Sequence, residues 1–214
     1  MKKDLILIGG GGHCKACIDV IEAEGKFKIA GIIDVKEKVS QKVLGYPIIG
    51  CDEDLDKLVG EYRYFFITLG QIKSANQRIE KFEFLEKYKV EFPVIVSPLA
   101  YVSKSAYLGE GTIVMHKAFV NSEAKVGRNC IINTNAIVEH NVDINDHCHI
   151  STGSIVNGGS KIGEGVFLGS NSVVVNNIEI TKGTIIGAGS VVVSSIYKEG
   201  IYVGNPVKRI ERDG

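Results

Sequence analysis

Histidine is the side chain best suited to moving protons near neutral pH, because its unperturbed pKa lies near 6.5. The chain carries five: His13, His116, His140, His147 and His149. His140 stands between Glu139 and Asn141 and is a candidate general base. His13 closes the run Gly9-Gly10-Gly11-Gly12. Glycines between a strand and a helix let the backbone approach a phosphate at the helix N-terminus. The dinucleotide pattern G-x-G-x-x-G fails, since its third glycine would fall on Cys14 or Lys15. A mononucleotide half-site fits better, with Asp34 ending the next strand and Gly70 following the third. A tight turn without ligand explains the glycines equally well. Cys14 and Cys17 have redox-motif spacing, but no proline lies between them and Cys17 falls on an apolar helix face. Packing is the simpler reading there.

The element that must position most of these histidines is a repeat. From Val102 to Val192 every sixth residue is aliphatic, without a miss. Two positions before each usually sits a small residue, such as Ala118, Ala136 or Ser154. Neither helix nor ordinary strand has that period. It predicts a hexapeptide β-helix of short strands and corners, in which residues 18 apart stack at about 4.8 Å.

The hexad phase places each side chain. Counting from Val138, His140 sits on a corner, with Gly158 directly above it. His149 points outward from a flat face opposite that corner, and Asn133 projects from the same face one coil below. His140 and His149 therefore cannot serve one site within one prism, and a shared site needs two subunits. His116 and His147 are expected to be solvated surface residues. Zinc is not expected: metal-binding β-helices stack histidines 36 residues apart, and no pair here has that spacing. Cys130 and Cys148 stack in the small inward slot as core.

Residues 1–92 read as alternating strands and helices, a small parallel α/β sheet of Rossmann-like type. Strands are expected over Leu5–Ile8, Ile29–Ile33, Ile48-Ile49 and Tyr64–Thr68. Helices are expected over Cys14–Glu24, Asp52–Leu58 and Ser74–Tyr88. Pro93 and Pro98 bracket a connection, and residues 93–214 form the β-helix domain.

Composition narrows the function classes. Lys+Arg and Asp+Glu both number 25, which argues against nucleic acid as the main partner. No apolar stretch approaches the ~18 residues of a membrane span. Five cysteines, an odd number, suit reduced thiols in a cytoplasmic protein.

The chain resembles the NeuD/PglD-like sugar acyltransferases of bacterial surface-glycan pathways. The likeness rests on Gly9–His13, Asp34, Gly70, Asn133-Thr134, Glu139-His140, His149-Ile150-Ser151-Thr152-Gly153, Gly158-Gly159 and Gly204-Asn205-Pro206-Val207-Lys208. The resemblance implies a left-handed β-helix and a homotrimer with intersubunit sites using acetyl-CoA. It implies a nucleotide-sugar held by Gly10, Gly11, Gly12, His13, Asp34 and Gly70. His140 would be the general base. Asn133, His149, the Gly158 N–H, Ser170, Gly187 and Lys208 would meet acetyl-CoA. These relatives usually carry an acidic residue after the histidine, where this chain has Asn141. An amide orients the ring without supplying charge, which favours an amine acceptor over a hydroxyl. The expected reaction is N-acetylation of a nucleotide-linked deoxyamino sugar. O-acetylation of a sialic acid or other sugar is the rival reading, and a trimeric nucleotide-binding scaffold is the non-enzymatic one.

Overall fold

A computed structural model describes residues 2–72 and 74–210 of the chain. Met1, where the first expected domain begins, and residues 211–214, where the second ends, lie outside the described residues, as does Lys73.

The N-terminal part holds β1 (Lys3–Ile8), α1 (Gly12–Glu24), β2 (Phe27–Ile33), β3 (Lys42–Val43), β4 (Tyr46–Gly50), α2 (Leu55–Glu61), β5 (Tyr64–Ile67) and α3 (Asn76–Glu86). The sheet order is β3-β4-β2-β1-β5. All neighbours are parallel except β3, which pairs antiparallel with β4. Leu5, Ile6, Leu7 and Ile8 are all buried, because helices cover both faces of the central strand. Leu5 and Leu7 pack with Cys14, Cys17, Ile18 and Ile21 of α1. Ile6 and Ile8 pack with Leu55, Leu58, Phe82 and Leu85 of α2 and α3. The expected Asp52–Leu58 helix is a 3-10 turn over Asp52–Asp54 running into α2.

The β-helix is a triangular prism of two-residue strands. One face, here the docking face, stacks Ile95–Val96, Ile113–Val114, Ile131–Ile132, His149–Ile150, Phe167–Leu168 and Ile185–Ile186, continued by Ile201–Val203. The second face runs from Tyr101–Val102 to Val191–Val192, and the third from Tyr107–Leu108 to Glu179–Ile180. Ile95–Val96 corrects the expected connection between the two prolines: Val96 is one hexad before Val102, so the first rung lies there. The inward aliphatic and small positions form one continuous core. Truncating one of the inward Ile or Leu residues to Ala costs about 2–5 kcal/mol by the general cost of core cavities.

Each corner from Gly111 to Gly189 turns through a residue in the left-handed region, as at Glu123 (φ 58°), Asn141 (φ 59°) and His147 (φ 63°). The corner side chains therefore project away from the core in a fixed direction, which aims the site.

The N-terminal domain packs on the docking face. Ile95, Ile113, Met115 and Ile131 share a core with α1. Arg78 of α3 is buried against the prism, donating to the carbonyls of Leu69 and Asn129 (both 2.6 Å) and to Asn129 Oδ1 (2.8 Å). Burial pushes its pKa down to about 10, so it stays a cation at neutral pH.

Candidate active site

The glycine loop joins β1 to α1. Gly9 has φ 101°, a conformation that favours glycine. Gly10 donates its N–H to Asp34 Oδ2 at 3.0 Å, and an added Cβ there would lie 2.7 Å from that oxygen. Asp34 also accepts from the Val35 N–H (2.7 Å) and the Lys38 ammonium (3.0 Å). Burial opposes its charge, but those three donors outweigh it and hold the carboxyl below the usual range. Asp34 thus braces the loop and borders a 270 Å³ cavity with Gly9, Val35, Gln77 and Lys81. Gly11 and Gly12 face open space at the start of α1, whose N-cap has no side-chain partner. A second cavity of about 710 Å³ opens there, lined by Gly11, Gly12, His13, Gly70, Gln71 and Asn76 among others.

His149 points out of the prism, as its phase requires, but the N-terminal domain covers it. It is 6% exposed. Its Nδ1 lies 2.8 Å from the Gln71 carbonyl and its Nε2 3.0 Å from Asn133 Nδ2. The carbonyl can only accept, so Nδ1 carries the proton and Nε2 accepts from the Asn133 amide. Burial pushes its pKa down to about 4, although the Gln71 bond works the other way. The His13 ring lies 6.2 Å from that of His149, centroid to centroid. Burial, then the charge of Arg78 and the neighbouring His149, push its pKa down to about 3. His13 Nε2 is buried and has no partner among the described residues. The glycine loop, His13, Gln71, Asn133 and His149 therefore form one cluster at the domain junction.

His116 and His147 are not the solvated surface residues expected. His116 bridges the domains through Asp19 of α1 (2.7 Å) and Ser97 Oγ (2.6 Å). His147 is buried, 3.0 Å from Asn129 Nδ2 and edge-on to Phe82. The hexad phase correctly points both outward, but it does not reveal that a second domain covers that side.

His140 lies elsewhere. It follows Ile137–Val138 of the second face and precedes Asp143–Ile144 of the third, so its corner is the one opposite the docking face. The ring stacks over Gly158. A Cβ on Gly158 would lie 2.7 Å from His140 Cε1 and 2.8 Å from Nε2. The Gly158 N–H meets no acceptor among the described residues, while its carbonyl accepts from Asn177. A base nitrogen and an unspent N–H thus share one corner. His140 Nδ1 lies 3.0 Å from Asn141 Oδ1, and Asn141 Nδ2 donates to Glu123 Oε2 at 2.6 Å. Glu139 accepts from Asn121 Nδ2 and from the His140 N–H.

The remaining expected residues are spread along the prism. Ser170 Oγ is 3.2 Å from Ser151 Oγ at a corner beside the docking face. Gly187 donates its N–H to the Tyr202 carbonyl, and a Cβ there would lie 2.7 Å from Val203 Cγ1. The chain's own C-terminal strand occupies that side. Lys208 is exposed on the closing strand Lys208–Ile210, opposite Val203. No cluster of three or more His, Cys, Asp or Glu side chains could hold a metal among the described residues. Sequence reasoning missed Gln71, Arg78 and Glu123. Only Glu123 left a signal, since it lies 18 residues before Asn141 on the same corner.

Residues 4–82 match the family described as PglD N-terminal domain, and residues 159–194 the bacterial transferase hexapeptide repeat. A solved perosamine N-acetyltransferase from Caulobacter crescentus, a histidine mutant in complex with CoA and GDP-perosamine, is 31% identical. The match covers 97% of each chain with a TM-score of 0.91. The chain belongs to the PglD-like family of hexapeptide-repeat sugar acetyltransferases. Its prism is accordingly the left-handed form. The acetyltransferase domain of PglB from Neisseria gonorrhoeae, solved with acetyl coenzyme A, is 29% identical, covering 98% of this chain and all of that one (TM-score 0.89). A UDP-N-acetylbacillosamine N-acetyltransferase of Bacillus subtilis is 32% identical over 117 residues. That match spans 53% of this chain and about half, 51%, of the Bacillus protein. No described helix is long and apolar enough to cross a membrane.

Proposed function

We propose that the protein transfers acetyl from acetyl-CoA to the amino group of a nucleotide-linked deoxyamino sugar, in the building of a bacterial surface glycan. The observation that carries this reading is the His140–Gly158 corner. Acyl transfer needs a base to take the proton of the attacking amine and a donor for the developing oxyanion. His140 Nε2 takes the first role and the unspent Gly158 N–H the second. The nucleotide-sugar lies along the glycine loop, with Gly10, Gly11, Gly12, His13, Asp34 and Gly70 around it. The helix N-terminus of α1 favours its phosphates. His13 Nε2, buried without a partner, offers the sugar a hydrogen bond. Asn133 and His149 border the acetyl end of acetyl-CoA, Ser170 follows its pantetheine arm and Lys208 meets a phosphate. Gly187 lies further along the same arm, with its N–H already given to the Tyr202 carbonyl.

The working unit is a homotrimer. His140 stands on the corner opposite the docking face, whereas the nucleotide cavity lies on the docking face. One chain cannot bring the two together, so His140 of one subunit must serve the cavity of its neighbour. The five free thiols fit a cytoplasmic setting.

The test is a thiol-release assay with acetyl-CoA against GDP-perosamine, UDP-linked 4-amino sugars and free sialic acids. Release that depends on an amino sugar is expected. Release only with hydroxyl acceptors would establish O-acetylation instead. No release with any acceptor, together with no CoA binding, would establish the scaffold reading.

A further inference from the structure

We infer that Glu123 is a positioning residue for the reaction: acting through the Asn141 amide, it fixes His140 in the tautomer that leaves Nε2 free to accept a proton. This rests on the reading of His140 as the base. The three side chains form a line across two coils of one corner. Asn141 Nδ2 donates to Glu123 Oε2 at 2.6 Å, and His140 Nδ1 lies 3.0 Å from Asn141 Oδ1.

Donor and acceptor chemistry fixes each step. An ionised carboxylate only accepts, so it takes the NH₂ end of the amide. That turns the amide oxygen toward the imidazole. The oxygen also only accepts, so Nδ1 must carry the ring proton. In a neutral ring, Nε2 then holds the lone pair, close to Gly158. Without the carboxylate the amide is free to flip and present its NH₂ to Nδ1. The ring proton would then move to Nε2, the form an unrestrained imidazole prefers, and the base would be lost.

When His140 takes a proton from the amine, Nε2 gains it and Nδ1 keeps its own. The positive charge so formed faces a carboxylate across one polarisable amide. Asn141 is thus a link to an acid one coil below. The other titratable groups around this corner are Glu139, Tyr107, Lys125, Asp143 and Lys161. Glu139 is held by Asn121 and the His140 N–H, and the other four border the same surface cavity as Glu123 and Asn141. The placement is specific: Glu123 adopts φ 58°, a corner conformation that glycine or asparagine takes more easily. Its own N–H is held by Ser105 Oγ at 3.1 Å.

The test uses the full-length trimer. Long-range ¹H–¹⁵N correlation of histidine-labelled protein without ligand reports the tautomer, with His140→Ala assigning the signal. His140 is expected as the Nδ1–H form. Glu123→Ala should shift it toward Nε2–H. Glu123→Gln can still accept from Asn141, and should retain more of the Nδ1–H form. With acetyl-CoA and the best acceptor from the thiol-release panel, Glu123→Ala should lower kcat by about 10–100-fold with KM little changed. In an Asn141→Gly background, which removes the link while suiting the corner backbone, Glu123→Ala should cost nothing further. A wild-type tautomer and kcat in Glu123→Ala would overturn the inference, as would an equal loss in the Asn141→Gly background. Neither result touches the base assignment, which falls only if His140→Ala itself stays active.

Discussion

His140→Ala is expected to lower kcat by about 10²–10⁴-fold while leaving the melting temperature nearly unchanged. The side chain is exposed and lies outside the inward slots, so its loss opens no cavity. Retention of more than about a tenth of kcat would remove it from the role. Asn141→Asp restores the acid usual in the family, yet it should not help by itself. The 2.6 Å contact to Glu123 would become one between two carboxylates, which must part or share a proton. We expect Asn141→Asp to lower kcat, and Asn141→Asp with Glu123→Gln to recover it, since the glutamine amide can donate to the new carboxylate. Steady-state kinetics of the two variants check this, and an active Asn141→Asp single variant would contradict it. His140, Gly158 and Asn141 were legible in the sequence, because the repeat converts position into placement. The carboxylate behind Asn141 was equally in register at 18 residues, but spacing alone does not say which corner side chains reach each other. Its presence removes the weak-base argument for an amine acceptor, which now rests on the relatives.

At the scale of elements, a corner and a domain junction set two further outcomes. Gly158 has an ordinary backbone conformation, so Gly158→Ala should fold. Its methyl would collide with His140 Cε1 and Nε2 and displace the ring. A loss of at least about tenfold in kcat with an unchanged melting temperature is expected, read by kinetics and calorimetry. The junction is sensitive to acid. His149 is held neutral by burial, its pKa lowered from 6.5 to about 4. The unfolded chain binds that proton more readily, so stability is full above pH 6.5 and falls as the pH drops toward 4. His149→Gln should flatten the slope of melting temperature against pH in this window without abolishing it, because His13 is depressed in the same direction. An unaltered slope would mean that His149 protonates without opening the junction. The hexads were readable from one aliphatic residue in six. The junction was not: Ile113, Met115 and Ile131 point outward by phase, and only the packed fold shows α1 over them.

Across the whole molecule, the separation of the proposed base from the His13 cavity sets how subunits of the proposed trimer would share work. The sheet topology puts His140 opposite the docking face, and α1, Arg78 and His116 tie the N-terminal domain to that face within the same chain. On the proposed function, an active site takes His140 from one subunit and the His13 cavity from the next. A closed three-fold ring makes this arithmetic simple. His140→Ala chains lack the base and His13→Ala chains lack the cavity's buried imidazole, so each homotrimer should be nearly inactive. Co-expressed in equal amounts with distinct tags, the two chains assort at random. Every mixed trimer contains one interface that pairs an intact His140 with an intact His13 cavity. Total activity should recover to about a quarter of wild type, since each interface has one chance in four of drawing the right pair. Mixed trimers isolated through both tags should show about a third, with one working interface among three. If those purified mixed trimers stay as inactive as their parents while wild-type trimers carrying the same tags turn over normally, base and cavity must belong to one chain. The opposed placement of His140 and the docking face would then have to be abandoned as the geometry of catalysis.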